Sequence, residues 1–164
     1  MAVMFDFSPG NAADKQALYA DLLAAADAVT ANEPDKIANM ANVAALIWQL
    51  LPDLNWVGFY RMAGQELVLG PFQGKPACIR IPLGRGVCGT AAASAQTQVV
   101  EDVHSFPGHI ACDAASASEI VVPVLVEGCV AAVLDLDSPS PARFDHEDQA
   151  GLEAVIGALA HRLA

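Results

Sequence analysis

The sequence predicts an α+β fold: an antiparallel sheet with helices from both chain ends packed on one face and a ligand pocket on the other. Three observations carry this. Apolar residues recur at helical spacing before residue 53 and after residue 145. Between those ends the period drops to two, in paired runs that read as hairpins. The length of 164 residues, with 54% hydrophobic and 16% charged, suits one domain and excludes disorder as the main state. Residues 1–53 then supply N-terminal helices, 54–137 the sheet and pocket segments, and 145–163 a closing helix.

The elements follow in order. Ala13 to Thr30 carries Leu18, Leu22, Leu23 and Ala26, an apolar helical stripe. Asn32-Glu33-Pro34 breaks it, with Pro34 suited to open the next helix. Ile37 to Leu51 places Ile37, Met40, Val43, Ala44, Ile47 and Leu51 on one face and stops before Pro52. Trp56 to Arg61 and Glu66 to Gly70 form a hairpin around Gly64. Ile79 to Pro82 is a short extended piece. The small, Ala-rich run Gly86 to Gln96 is a close-packing helix, and Gln98 to Val100 a short strand. Asp102 to Ala117 reads as a long functional loop. Glu119 to Val126 and Cys129 to Asp137 form a second hairpin around Glu127-Gly128. Asp145 caps the last helix, whose Leu152, Val155, Ile156, Leu159 and Leu163 face inward.

The formal net charge is −11, from 19 acids against 8 bases. Phosphate-rich partners need lysine and arginine, so nucleic acid and anionic membrane surfaces are disfavoured. The N-terminus lacks the basic segment and long apolar run of a secretory signal, and no run reaches the length of a membrane helix. A cytoplasmic location is therefore expected, where thiols stay reduced and disulfides are transient and catalytic.

Four cysteines stand at positions 78, 88, 112 and 129. None forms the short Cys-x-x-Cys pair of structural zinc sites, so no metal site is expected. Cys129, in an apolar strand, reads as a small buried hydrophobe. Cys78 and Cys112 sit in polar or Pro/Gly-rich loops. Cys88 follows Arg85 and opens a helix, where the helix N-terminus and the cation should both favour thiolate and lower its pKa.

Asp135 and Asp137 alternate with Leu134 and Leu136, so strand geometry puts both acids on one face. Side by side they repel one another, which should raise the pKa of one of them; on a solvated strand end they point at water. Glu119 starts the partner strand and lies within reach of both. Three converging carboxylates suit a cationic ligand group, a protonated acid that donates a hydrogen bond, or on chemistry alone a hard metal. Trp56 and Tyr60 share a strand face and read as core or as a pocket wall. His104 and His109 flank Phe106-Pro107-Gly108 in the loop; His146 and His161 read as solvated.

At these residues the sequence resembles the GAF-domain free methionine-(R)-sulfoxide reductases. The resemblance runs through Leu54-Asn-Trp-Val-Gly-Phe-Tyr60, Gly70-Pro-Phe-Gln-Gly-Lys-Pro-Ala-Cys78 and Ile81-Pro-Leu-Gly-Arg-Gly-Val-Cys88. It continues through Val100 to Asp113, Ser116 to Pro123 and Leu134-Asp-Leu-Asp-Ser138. It implies a single GAF domain that reduces free L-methionine (R)-sulfoxide, needs no cofactor, uses thioredoxin as reductant and forms a homodimer. Cys112 is then the residue that takes the substrate oxygen and Cys78 the partner that closes a disulfide. Cys88 is auxiliary, against its reading as nucleophile from helix position. Glu119, Asp135 and Asp137 are implied to bind and polarise the sulfoxide, with Trp56 and Tyr60 around its methyl group. The readings from other classes are a non-catalytic GAF sensor of a small molecule and a redox-sensing domain.

Overall fold

The structure, a computed structural model, describes residues 14–109 and 113–164. The chain runs α1 (Lys15–Thr30), α2 (Lys36–Leu50), β1 (Trp56–Ala63), β2 (Glu66–Gly74), β3 (Arg80–Pro82), α3 (Gly86–Ser94), β4 (Gln98–Val100), β5 (Ser118–Val126), β6 (Cys129–Ser138) and α4 (His146–Leu163). The strands form one antiparallel sheet in the order β3-β2-β1-β6-β5-β4. The α+β class, the two hairpins and the closing helix stand as the sequence predicts.

Helix starts follow side-chain chemistry. Asp14 and Asp35 cap α1 and α2 by accepting from the first backbone N–H groups. Asp35, not Pro34, therefore opens the second helix. Asp145 and Asp148 build a reciprocal capping box at α4. The loop from Asp102 contains a 3-10 turn at Val103–Ser105, with the Asp102 carboxylate accepting from the His104 N–H.

Strand alternation divides the core into two. On one face Val57, Phe59, Ile120, Val122, Leu134 and Leu136 pack under α1, α2 and α4 with Leu22, Ile47, Leu152 and Ile156. On the other, Trp56, Tyr60, Leu67, Val121 and Val133 pack with Ile81, Val87, Cys88 and Ala91. Helix α3 and the middle segments cover this second face, which leaves room for a pocket there.

A second expectation fails. Cys129 is exposed rather than buried. It is the first residue of β6, paired with Val126 across a two-residue turn in which Glu127 and Gly128 both have positive φ. A register shift at Val124/Leu125 precedes it, and Leu125 is exposed as well. The hairpin tip thus reaches past the layers that bury the rest of the strand. Apolar neighbours in sequence say nothing of where a strand outruns its cover.

Candidate active site

The site is assembled by register across three strands. Trp56 on β1 lies opposite Asp137 on β6, which lies opposite Glu119 on β5. One step along, Gly58 lies opposite Asp135, which faces Val121. Directly opposed residues share a sheet face, so the two aspartates, Glu119 and the Trp56 ring all point into the same cavity. Leu134 and Leu136 turn to the helix side.

Gly58 matters because it lacks a side chain. A Cβ there would stand 2.4 Å from the Phe72 Cβ and 2.6 Å from the Trp56 ring. The Trp56 ring stacks on Phe72 at 5.3 Å and on Tyr60 at 5.9 Å between centroids. Each pocket aromatic also has a polar end at work. Trp56 Nε1 donates to the Lys75 carbonyl at 3.0 Å, and Tyr60 Oη donates to the Cys78 carbonyl at 3.0 Å. These two bonds hold the Lys75–Cys78 segment over the cavity.

Burial dominates the electrostatics. Desolvation pushes the Asp135 carboxyl up to about 7, against hydrogen bonds from Cys88 and Glu119 that favour its charged form. Glu119 is raised well above the usual carboxylate range by burial and by its acidic neighbours Asp135 and Asp137. Asp137 is raised by burial and by Asp135, while Ser116 hydrogen-bonds to it and lowers it. One oxygen of Asp135, Oδ1, is buried without a hydrogen-bond partner among the described residues. These shifts all favour the protonated forms, and the set presents an unsatisfied acceptor. It titrates as a coupled group rather than as three separate acids.

Cys88 lies within this set, and the structure corrects its expected lowered pKa. The thiol is buried, and desolvation with the adjacent Asp135 and Glu119 drives its pKa well above the usual value. Burial, with Asp135 and Glu119 close to the sulfur, outweighs the helix start and Arg85. The donor atoms of Cys88, Glu119 and Asp135 lie within 4.8 Å of one another, a spacing that a metal ion could bridge. Burial disfavours the charged form of all three, which opposes the deprotonation that metal binding requires.

Of the other candidate cysteines, Cys78 is half-buried and stands in a disulfide, whereas Cys88 and Cys129 are free. Cys112 lies outside the described residues. The chain re-enters at Asp113, whose carboxylate accepts from the Ala115 N–H at 2.9 Å and from Asn55 Nδ2 at 3.3 Å. Those bonds, led by that of Ala115, hold Asp113 below its usual pKa. Asn55 also donates to Ser116 Oγ at 3.1 Å, and its own N–H bonds the Asp137 carbonyl. The outgoing end of the loop is thereby fastened to the end of β6.

Several lining residues escaped the sequence reading. His109 turns inward, its Nε2 3.8 Å from Glu119 Oε2. Burial lowers its pKa and raises that of Glu119, so both shifts disfavour the charged pair. His104, His146 and His161 are exposed. Lys75, Arg85, Asp113 and Ser116 complete the wall. Lys75 and Asp113 did carry a signal, since each falls inside a cysteine motif.

The GAF domain family model matches residues 26–163. The chain is 52% identical over 151 residues to free methionine-R-sulfoxide reductase of Escherichia coli, covering 92% of each. A solved structure described as a putative GAF sensor protein from Burkholderia vietnamiensis is 61% identical, with a TM-score of 0.85 over 88% of this chain and 92% of that one. The free methionine-R-sulfoxide reductase of Neisseria meningitidis, solved in complex with its substrate, is 46% identical. Its TM-score is 0.91, over 96% of this chain and 95% of its own. The two-sided sheet with its pocket under α3 is thus a GAF domain. The chain belongs to the GAF-domain family of free methionine-(R)-sulfoxide reductases.

Proposed function

We propose that this chain reduces free L-methionine (R)-sulfoxide to L-methionine. The observation that carries the reading is the set of Glu119, Asp135 and Asp137, lining one cavity with Trp56 and Tyr60, where burial favours the protonated form of each acid. A sulfoxide oxygen is a strong hydrogen-bond acceptor that becomes more basic as its bond to sulfur breaks. Protonated carboxyls aimed at it stabilise the charge that develops. The aromatic rings suit the S-methyl group, and whichever carboxyl ionises suits an ammonium.

The steps balance as follows. The Cys112 thiolate attacks the sulfoxide sulfur while a carboxyl gives its proton to the oxygen. Oxygen passes to the cysteine, methionine leaves, and the cysteine is a sulfenic acid. The Cys78 thiol attacks that sulfur, and water departs as the disulfide closes. An external dithiol, thioredoxin in this reading, returns both thiols by exchange. Cys88, buried and protonated against Asp135, is not the nucleophile; its S–H helps hold the carboxyl in place. A cytoplasmic homodimer completes the proposal. Among the described residues no helix is long and apolar enough to cross a membrane.

Purified protein with a thioredoxin system should consume free methionine sulfoxide of the R epimer and spare the S epimer. Equal use of both epimers, or of peptide-bound sulfoxide, would overturn the assignment. Binding without turnover would favour the sensor reading.

A further inference from the structure

The proposed substrate is a zwitterion, and the acids account for only one of its two charges. Glu119, Asp135 and Asp137 supply no positive charge, so the α-carboxylate needs a cationic site elsewhere on the wall. Two cations line the cavity, Lys75 and Arg85. Both side chains are exposed, but the Lys75 ammonium is 3.7 Å from Asp113, so its charge is partly committed. Arg85 makes no side-chain hydrogen bond or ion pair among the described residues, and as N-cap of α3 its side chain does not cap the helix.

We propose that Arg85 receives the α-carboxylate and is the residue that selects a free amino acid over a peptide-bound one. The inference rests on the proposed reaction. A guanidinium presents parallel N–H donors that match the two oxygens of a carboxylate, a geometry that an amide does not offer. The site is placed by the fold. Gly84 turns the chain at positive φ, and Gly89 packs so closely that a Cβ there would stand 2.5 Å from the Pro82 carbonyl oxygen. The start of α3 is thus pinned to the β3 end, and Arg85 leaves the backbone between two fixed points. The first residues of α3, Gly86 to Cys88, line the same cavity and add the positive end of the helix dipole.

The test compares the R epimers of L-methionine sulfoxide and L-methionine sulfoxide amide as substrates for wild type, Arg85→Gln, Arg85→Lys and Lys75→Gln. For Arg85→Gln, kcat/KM on the free acid should fall roughly 10–100-fold, mainly through KM, as expected for loss of one charge-assisted pair. The amide should change far less, so that discrimination between the two collapses. Arg85→Lys keeps the charge without the fork and should fall between, which covers the case in which the glutamine variant does not fold. An equal loss on both substrates overturns the proposal, as does collapse of the ratio in Lys75→Gln but not in the Arg85 variants. Calorimetric binding of L-methionine against L-methioninamide reads the same subsite without turnover. Arg85-dependent preference for methionine in a wild type that does not reduce the sulfoxide would sink the proposed reaction and leave the subsite standing.

Discussion

At the scale of single residues, the cysteines divide by surroundings. Cys88 is buried among acids that raise its pKa, so thiolate chemistry falls to a loop cysteine. Cys112→Ser should abolish even a single turnover. Cys78→Ser should release about one methionine per chain and stall, because the resolving thiol is needed only to clear the sulfenic acid. Cys88→Ser should keep its burst. A rapid-quench count of methionine formed without reductant separates these outcomes, and a dead Cys88→Ser with a competent Cys112→Ser would reverse the assignment. The acids set the pH dependence. Asp135 is pushed up to about 7, so the proton it holds is present below that value and lost above it. kcat/KM should therefore fall as pH rises through about 7. Asp135→Asn and Asp137→Asn should each cost roughly 10²–10⁴-fold in turnover, the usual worth of a positioned acid. A pH profile flat to 9, or near wild-type rates in both variants, would remove the carboxyls from the chemistry.

At the scale of elements, the β6 pattern was legible because strand alternation is rigid. Leu-Asp-Leu-Asp can send its acids only one way once the leucines have a core to meet. The register that sets Trp56, Asp137 and Glu119 in one row was legible only as proximity, since sequence does not state which strand lies between which. The charge state of Cys88 was misread for the same reason. Its local cue, a helix start beside Arg85, was visible, but Asp135 and Glu119 arrive from strands far along the chain. His109 was hidden too, because the inward turn of a loop has no period to betray it. Gly58 supplies the element-scale prediction. Gly58→Ala should push Phe72 and Trp56 apart, as a Cβ cannot sit 2.4 Å from the Phe72 Cβ. The expected cost is about 1–3 kcal/mol by chemical denaturation, with KM raised because the disturbed rings line the site. Unchanged stability and KM would show that the aromatic stack gives way freely.

At the scale of the molecule, the sheet has one face for stability and one for chemistry. The helix face carries a core of fully buried residues such as Leu22, Ile47, Leu152 and Ile156. Its helices are joined by a polar clamp in which Tyr19 Oη donates to Asp148 at 2.8 Å while Lys15 and Arg143 pair with the same carboxylate. The pocket face instead buries acids in a low-dielectric site, which opposes stability where they ionise. The sign follows from Asp135, whose folded pKa of about 7 exceeds its usual 3.8. The folded state binds more protons than the unfolded one between those values, so this group's contribution to stability declines as pH rises across that window. Two substitutions should then act in opposite senses. Leu152→Ala, on the helix face, should cost about 2–5 kcal/mol as a buried truncation, yet leave kcat/KM per folded molecule within about twofold, a change of under about 0.5 kcal/mol. Asp135→Asn should stabilise the fold at pH 8 relative to wild type and weaken the decline in stability from pH 4 to 8, while turnover collapses. Denaturation midpoints and initial rates measured on the same samples across that range decide it. If Leu152→Ala lost turnover in proportion to stability, or if Asp135→Asn destabilised the fold at pH 8, the two faces would not be separable.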